Sequence, residues 1–371
     1  MGISRRGVIR VRDSIFENLF VLELANNHWG SVDRGLKIIS DYGKVVRYNG
    51  MRVAMKLQFR DVDNFIHRAF RDRTDIRYIK KTLDTQLPWD QYDALVRAVR
   101  QNGMITMATP FDEFSVDKCV DLGIQIIKLA SSDIKDWVLI EKIASKRKPV
   151  IASSGGSSLK DLDDLVTFFN RRNIPFALNH CVSLYPTEDD ELEINQIDFL
   201  RNRYPENTIG FSTHEYHDWR DSILIAYSKG ARTFERHVDI EYQNVPVSPY
   251  CSLPHQVDQW FKAFKKAQEM CGSDSSSKRI PSHREINYLD GLVRGVYARR
   301  DLPAGHPLTE EDIYLAIPLQ KGQISCRELI RGEVLLKAVA KDGPVRLSNI
   351  DSPYAHNPDL LSDVNNRGID E

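Results

Sequence analysis

Short apolar runs rich in β-branched residues recur through the first two thirds of the chain, and a more polar segment with helical periodicity follows each one. We predict eight strands from these runs, at Phe20–Ala25, Arg52–Phe59, Met104–Thr109, Ile124–Ala130, Pro149–Ser153, Pro175–Cys181, Thr208–Thr213 and Ala231–Val238. The segments between them predict helices at Val32–Tyr42, Pro88–Asn102, Ser115–Leu122, Val138–Lys146, Leu159–Asn170, Ile194–Tyr204 and Trp219–Lys229.

Strands that are apolar along their whole length indicate a parallel sheet covered by helices. Eight strand–helix units can close into a (β/α)8 barrel, also called a TIM barrel. Polar residues stand at the last positions of most runs, for example Lys56, Lys128 and His237. In a barrel these strand ends converge on one mouth, where barrel enzymes keep their active sites. The sequence therefore favours a TIM barrel over an open doubly wound α/β sheet.

The pattern changes after the eighth run. An amphipathic segment at Gln256–Met270 is followed by a stretch rich in Gly, Ser, Pro and charge, which is typical of a linker. Short strand-like pieces and turn signals then follow. We predict a barrel domain over 1–271, a linker over 272–289, a small β-rich module over 290–351, and a frayed polar tail over 352–371.

Composition excludes several classes of function. Among 371 residues, 51 Lys and Arg balance 52 Asp and Glu, so the net charge of −1 argues against a protein held by its global charge to nucleic acid or anionic lipid. No apolar run approaches the roughly 20 residues that span a bilayer. Five dispersed cysteines without a C-x-x-C pair indicate a reducing cytoplasm. The N-terminal MGISRRGVIRVRD lacks the apolar stretch of an export signal.

Two strand-end lysines suggest an anion pocket. In the predicted barrel, Lys56 and Lys128 would share the mouth with hydroxyl donors, which suit phosphate and carboxylate groups. The hydroxyls belong to Thr109, Ser131, Ser153, Ser183 and Ser212. Alternatively, each lysine extends to solvent and each hydroxyl caps a helix. Seven such residues from six strands at one mouth favour the anion pocket.

Two histidines suggest a metal site that depends on the barrel. His214 and His237 end neighbouring runs, and a pair of imidazoles suits Mn²⁺, Fe²⁺, Co²⁺ or Zn²⁺ better than Mg²⁺. Glu235 should share a barrel face with His237 and orient a ligand or hold charge near the metal. The alternative is that such histidines are hydrogen-bonded core residues. We interpret the further candidates His28, His180 and His217 as structural.

Two further features leave alternatives open. Glu23 ends the first run and could bind sugar hydroxyls or act as a general acid or base, or it could be a capping carboxylate. The basic run from Arg60 to Lys81 lies in the second strand–helix connection, on the side of the mouth. It is either a solvated helix face or a lid that selects an anionic acceptor.

Eight ordered motifs resemble those of the N-acetylneuraminate (sialic acid) synthase family, the nonulosonic acid synthases. The motifs are LELANNHWGS, MKLQF, ATPFDEFSVD, IIKLASSDI, PVIASSGGSS, NHCVSLYPT, IGFSTHE and FERHV. The C-terminal module resembles the SAF (antifreeze-like) domain of the same enzymes. The resemblance covers about Phe20 to Ile350 and implies a metal-dependent condensation of phosphoenolpyruvate with an amino-sugar aldehyde, giving a nonulosonic acid and phosphate for a surface polysaccharide or glycoconjugate.

The resemblance also implies roles for individual residues. His214 and His237 match metal ligands, with Mn²⁺ expected and Mg²⁺ or Co²⁺ as alternatives, and Glu23, Gln58 and Tyr185 match residues near the sugar. Phosphoenolpyruvate would be held by Lys56, Thr109, Lys128, Ser131, Ser153, Ser183 and Ser212. The expected catalytic residues are Glu23, Lys56, Lys128, His214, Glu235 and His237. The family further implies a homodimer with exchanged SAF modules.

Two departures from the family pattern concern the sugar. Ser248 stands near the place of an acid that touches the acceptor, and Ile317 stands where an Arg of the SAF module reaches a neighbouring subunit. These departures predict an atypical acceptor. Two other functions stay open: a Schiff-base aldolase that uses Lys56 or Lys128 as its nucleophile, and a non-catalytic barrel that binds carbohydrate.

Overall fold

The structure is a computed structural model that describes residues 15–272, 277–328, 332–351 and 353–370. The chain divides into two compact units, with the boundary between Gly272 and Ser273. The N-terminal stretch in which we expected no export signal lies outside the described residues. No helix of the described ranges is long and apolar enough to cross a membrane.

The first unit is a closed barrel of eight parallel strands, in which each strand pairs with the next and β8 pairs with β1. The strands are β1 Leu19–Ala25, β2 Val53–Phe59, β3 Ile105–Pro110, β4 Ile126–Leu129, β5 Val150–Ser153, β6 Phe176–Cys181, β7 Thr208–Thr213 and β8 Thr233–His237. Every predicted strand is present, with ends shifted by at most two residues. The predicted (β/α)8 barrel is therefore confirmed.

Helices cover the outside of the barrel and part of its mouth. They are α1 Val32–Asn49, α2 Val62–Phe65, α3 Arg77–Asp84, α4 Trp89–Gln101, α5 Glu113–Asp121, α6 Trp137–Ser145, α7 Leu159–Arg171, α8 Gln196–Arg203, α9 Asp221–Ser228 and α10 Pro254–Cys271. The Ser31 side chain caps α1 by accepting from the Arg34 N–H, and Gly50 ends it with a φ of 62°. The pattern had predicted no separate helix at α2 or α3, where the β2–α4 connection runs over the barrel mouth.

The strand period of two residues sorts side chains between the two faces of the barrel wall. Leu19, Val21, Ala54 and Met107 belong to a buried cluster inside the barrel. Their neighbours in sequence face outward, and Phe20 packs its ring 4.7 Å from that of Trp260 on α10. Two residues further along each strand, the inward positions become polar. This change from apolar to polar positions creates the site.

The second unit is a small β-rich module with its own apolar core. It contains α11 His283–Asp290, β9 Gly295–Ala298, β10 Ile313–Ala316, β11 Val334–Leu335, β12 Ile350–Asp351 and α12 Pro358–Asn366. β9 pairs antiparallel with β10, and β11 pairs antiparallel with β12.

Two segments of this unit differ from the sequence interpretation. The expected linker contains α11, which the Ser282 side chain caps by accepting from the Glu285 N–H. The tail that we expected to be frayed contains α12, and Val364 of this helix is buried in the module core. Its apolar face is only one helical turn long, so the polar composition around it concealed the helix.

Candidate active site

One cavity of about 1190 Å³ opens at the carboxyl ends of the barrel strands. All thirteen site residues predicted from the sequence line it: Glu23, Lys56, Gln58, Thr109, Lys128, Ser131, Ser153, Ser183, Tyr185, Ser212, His214, Glu235 and His237. Most of them occupy the inward, polar positions at the ends of the strands, and the others lie on the loops that follow. The barrel therefore brings together residues that are more than 200 positions apart in sequence.

Four charged side chains form a buried network inside the barrel. Lys56 Nζ donates to Glu235 Oε1 at 2.6 Å, Lys128 Nζ donates to the same oxygen at 3.2 Å, and Lys56 also pairs with Glu23. Burial lowers the pKa of Lys56, and the Glu235 carboxylate opposes that shift. Burial alone would raise the pKa of Glu235, but Lys128 and Lys56 outweigh it and hold that pKa below its usual range. Two ammonium groups and two carboxylates are thus fixed before any ligand binds.

Several buried polar atoms around this network lack a partner in the described structure. They are the hydroxyl oxygens of Thr109 and Ser153 and the Oε2 atom of Glu235. A buried hydroxyl without a hydrogen bond costs about 1–3 kcal/mol. The two orphaned hydroxyls can donate, and beside two ammonium groups they are suited to a polyanionic ligand that would accept from them.

Gly155 makes room for two of the predicted hydroxyls. A β-carbon at this position would overlap Ser183 Oγ and would lie 2.8 Å from Ser131 Oγ. The sequence analysis did not single out Gly155, although the Gly-Gly pair in PVIASSGGSS was a signal for close backbone approach. We infer that only glycine lets these two hydroxyls face the cavity together.

The two predicted metal-ligand histidines are neighbours at the mouth. Their ring centroids lie 5.4 Å apart. His214 Nδ1 lies 3.0 Å from the Val182 carbonyl oxygen, so Nδ1 carries the proton and Nε2 keeps its lone pair. Burial lowers the pKa of His214 to about 4 and lowers that of His237 further below its usual range, with His214 and Lys56 adding to the shift at His237.

Two neutral imidazoles are a suitable donor set for a divalent transition metal. Within the described ranges, no group of three or more His, Cys, Asp or Glu side chains is placed to hold a metal ion. The pair would therefore leave several coordination positions for water and substrate oxygens. The residues present fit an open catalytic site rather than a closed structural one.

A buried ion pair that the sequence analysis missed supports both histidines. Arg236 Nη1 donates to Glu215 Oε1 at 2.5 Å, and Arg236 Nη2 donates to the Glu215 carbonyl oxygen at 2.8 Å. Both side chains are 1% exposed. Glu215 follows His214 and Arg236 precedes His237, so this pair ties the ends of β7 and β8 together.

The other candidate histidines lie outside the cavity lining. His180 faces away from the barrel interior and donates from Nε2 to the Leu192 carbonyl oxygen at 2.8 Å, because its position in β6 has the outward parity. His217 is half-exposed and contacts Glu188. His28 is buried, and its Nδ1 accepts from the Gly30 N–H. These environments fit the structural role that we predicted for all three.

The structure shows where Ser248 and Ile317 lie, the two positions that depart from the family pattern. Ser248 is absent from the residues that line the cavity, but Tyr250, two positions later, does line it. Its ring lies 5.3 Å from that of His237 and 5.2 Å from that of Tyr185. Tyr250 was missed although VPVSPYCSL contains this single aromatic residue. Ile317 lies in the second unit and is exposed.

Comparison with known proteins gives matches to both units. The NeuB family model matches residues 50–276, and the SAF domain model matches residues 293–351. These matches confirm the resemblance recognised from the motifs, and they identify the β-rich module as a SAF domain.

Individual relatives agree with this result. A solved structure from Chromobacterium violaceum, named after spore coat polysaccharide biosynthesis protein E, is 36% identical, with a TM-score of 0.86 over 91% of this chain and 100% of that chain. The N-acetylneuraminate-9-phosphate synthase of Drosophila melanogaster is 27% identical over an alignment of 337 positions that covers 86% of this chain and 84% of that protein. The N,N'-diacetyllegionaminic acid synthase of Legionella pneumophila is 26% identical over an alignment of 225 positions that covers 58% of this chain and 61% of that protein.

Proposed function

The chain belongs to the NeuB family, and we propose that it is a metal-dependent transferase that condenses phosphoenolpyruvate with a sugar aldehyde. The products would be a nonulosonic or related ulosonic acid and inorganic phosphate. The named synthases among its relatives support this reaction type. The observation that carries the proposal is the pair of orphaned hydroxyls, on Thr109 and Ser153, beside the buried Lys56 and Lys128.

Phosphoenolpyruvate matches the polar groups at the bottom of the cavity. Its carboxylate and phosphate need several N–H and O–H donors, and charge-assisted bonds to such groups are roughly twice as strong as neutral ones. Lys56 and Lys128 would supply the charge. The hydroxyls of Thr109, Ser131, Ser153, Ser183 and Ser212 would supply the remaining donors. Glu235 would hold both ammonium groups in place, because one of its oxygens accepts from each of them.

The reaction joins C3 of phosphoenolpyruvate to the aldehyde carbon of the acceptor. Water then adds at C2, and the C2–O bond to phosphate breaks, so phosphate leaves and a 2-keto-3-deoxy acid remains. The chain's residues would contribute mainly by positioning and by stabilising charge on the carboxylate and phosphate. Glu23, Gln58 and Tyr185 would face the acceptor, and Glu23 is the carboxylate suited to proton transfer there.

His214 and His237 would hold the divalent cation, for which we propose Mn²⁺. When bound, such an ion supplies Lewis-acid polarisation of a carbonyl oxygen. The lowered pKa values, which keep both imidazoles neutral, support this assignment, because only the unprotonated ring is a ligand. The half-exposed His217 on the same loop as His214 is the matched control position.

The test is phosphate release from phosphoenolpyruvate with Mn²⁺ and a panel of amino-sugar aldehydes and their phosphates. We expect release that needs one acceptor, is abolished by a chelator, and is lost in His214→Ala and His237→Ala but kept in His217→Ala. Calorimetry should show that both inactive variants still bind phosphoenolpyruvate. Release without any acceptor, or full activity in His237→Ala, would contradict the proposal.

A second candidate reaction uses a lysine as nucleophile. The lowered pKa of the buried Lys56 favours it, because a neutral amine is required for a Schiff base. Borohydride reduction in the presence of pyruvate, followed by mass spectrometry, should then label Lys56 without any metal. The ion pairs from Lys56 to Glu23 and Glu235 oppose this reaction by favouring the charged form. A non-catalytic carbohydrate-binding barrel would show neither labelling nor phosphate release.

We also propose that the protein acts in the cytoplasm as a homodimer. All five cysteines are free thiols in the structure, which suits a reducing compartment. Sedimentation of the full chain tests the dimer, and a monomer at micromolar concentration would contradict it.

A further inference from the structure

A second group of cations lines the same cavity on the β2–α4 connection. Arg60 follows β2 directly, and Arg77 and Lys81 stand four residues apart on α3, so they share one helix face. We call these three residues the outer basic cluster. They lie close enough to influence one another, since burial lowers the pKa of Lys81 and the charges of Arg77 and Arg60 lower it further.

Six of the seven cations of this connection divide into two sets. Three outward-facing cations pair with carboxylates of the same segment at distances of 2.6–2.7 Å, whereas the exposed Arg68 has no ion pair among the described contacts. These pairs are Arg71–Asp63, Arg73–Asp75 and Lys80–Asp84. Within the part of the chain that the structure describes, no member of the outer basic cluster forms such an ion pair. One set therefore lies on a solvated face, and the other set lines the cavity.

The charge of the cavity lining is unbalanced only in its outer part. Lys56 and Lys128 are offset by Glu23 and Glu235 in the buried network. The other charged lining residues are Arg60, Arg77, Lys81, Lys135 and Asp133. Lys135 has Asp161 at 3.2 Å. Asp133 affects the pKa of Arg60 but forms no ion pair with it among the described contacts. The outer basic cluster thus carries three positive charges, and among the described contacts only Arg60 has carboxylates near enough to act on it, those of Asp133 and Asp112, in a chain whose net charge is −1.

The Arg60 guanidinium is positioned by two neighbours and keeps donors available for an anion. Its Nη1 donates to Gln58 Oε1 at 3.0 Å, and its guanidinium carbon lies 3.7 Å from the centre of the Phe111 ring. Burial lowers the pKa of Arg60 to about 10, which leaves it cationic at neutral pH. A guanidinium has five N–H donors in a rigid fork that matches phosphate and carboxylate oxygens. Only one of these donors has a partner among the described hydrogen bonds.

We propose that the outer basic cluster binds an anionic substituent of the acceptor, and that this substituent is a phosphate. The proposal rests on the proposed function, in which phosphoenolpyruvate occupies the lysines and hydroxyls deeper in the barrel. Three cations match the roughly two negative charges of a phosphate monoester at neutral pH better than the single charge of a carboxylate. The cavity volume of about 1190 Å³ leaves room for a sugar phosphate beside phosphoenolpyruvate.

The first experiment measures binding, so that it does not depend on turnover. Calorimetry on the full chain, saturated with phosphoenolpyruvate and with a chelator present to prevent metal-dependent turnover, compares N-acetylmannosamine 6-phosphate with N-acetylmannosamine and with glucuronate as the carboxylate probe. We expect the phosphate to bind at least tenfold more tightly than either. Arg77→Met and Lys81→Met should each weaken that binding roughly tenfold, as expected for a lost charge-assisted hydrogen bond. Tighter binding of glucuronate would mean that the cluster binds a carboxylate and that the assignment of a phosphate is wrong. Equal binding of all three probes would overturn the proposal.

Lys80→Met is the matched control, because Lys80 is the neighbour of Lys81 on α3 but pairs with Asp84. It should leave the binding of all three probes unchanged. The affinity for phosphoenolpyruvate itself should also be unchanged in Arg77→Met and Lys81→Met. If these two variants instead weaken phosphoenolpyruvate binding, the cluster serves the first substrate and the proposal is wrong.

Turnover separates this proposal from the proposed function. For an active acceptor, kcat/KM is measured for the phosphorylated and for the unphosphorylated sugar, and the first value is divided by the second. This ratio should fall roughly tenfold in Arg77→Met and Lys81→Met and stay constant in Lys80→Met. Turnover with no such preference would refute the phosphate site and leave the synthase reaction standing. If the sugar phosphate binds in a way that depends on the outer basic cluster but no acceptor is turned over, the phosphate site is supported and the proposed synthase reaction is refuted.

Discussion

The buried Arg236–Glu215 pair lends itself to a quantitative test, because its two partners adjoin both candidate metal ligands. Glu215→Gln removes the charge, and it replaces the oxygen that accepts from Thr213 Oγ1 with an amide N–H group that can donate to that hydroxyl instead. The amide oxygen can still accept from Arg236 Nη1 and from Ser222 Oγ, which lies 2.5 Å from Glu215 Oε1. The variant therefore leaves a cation in a site where both side chains are 1% exposed.

The expected loss of stability follows from that burial. Removing one partner of a buried ion pair typically costs about 3–5 kcal/mol, since the remaining charge is uncompensated. The hydrogen bonds that glutamine retains place the estimate near the lower end, about 3 kcal/mol. Arg236 also donates from Nε to Ser252 Oγ at 2.9 Å, and that bond should survive the substitution.

The assay is urea unfolding followed by tryptophan fluorescence. All five tryptophans precede residue 272, so this signal reports on the barrel unit alone. The double variant Glu215→Gln with Arg236→Met removes the unpaired cation as well. Its loss of stability should be smaller than the sum of the two single losses by about 2 kcal/mol.

A loss below about 1 kcal/mol in Glu215→Gln would refute the reasoning, because the charge would then be compensated by solvent or by another group. Additive losses in the double variant would do the same. Glu188→Gln is the surface control, since Glu188 contacts the half-exposed His217. It should change stability by less than about 1 kcal/mol.

Two further predictions concern the barrel. Burial lowers the pKa of His28 from 6.5 to about 4, so the stability that the neutral imidazole contributes is complete above pH 6.5 and is lost as the pH falls towards 4. Between about pH 7 and pH 5, the wild type should therefore lose about 2 kcal/mol more unfolding free energy than His28→Gln. Parallel pH profiles of the two proteins would contradict this. Phe20 is fully buried, and its ring centroid lies within 4.9 Å of those of Trp260, Phe261 and Phe264. In the same urea assay, Phe20→Ala should lower the free energy of unfolding by about 3–5 kcal/mol, and Phe20→Leu should lower it clearly less. Equal losses in the two variants would mean that the aromatic cluster does not hold α10 on the barrel.

The sequence by itself determined the barrel and most of the candidate site. Buried parallel strands are apolar on both faces, so the eight runs stood out against the polar helices between them. Side chains alternate along a strand, and a polar residue at a strand end is conspicuous after an apolar run. For this reason the sequence alone places Lys56, Lys128, Glu235 and His237 at the mouth. The motifs then identified the family.

Tertiary structure decided the features that depend on contacts between distant segments. No local pattern indicates that Arg236 pairs with Glu215, or that a β-carbon at Gly155 would collide with Ser183. The helix α12 was hidden because its stability comes from packing Val364 into the module core rather than from a long amphipathic pattern.

The basic run between β2 and α4 gives the clearest contrast between the two levels. The sequence showed seven cations and four aspartates from Arg60 to Lys81, which fits a solvated helix face and leaves a lid as the alternative. Only the fold separates Lys80, which pairs with Asp84, from Lys81, which lines the cavity. Adjacent residues on a helix point about 100° apart, so their environments are set by what packs against each face. The chain's composition therefore fixed the charges available, and the packing of α3 over the barrel mouth decided which of them a substrate would meet.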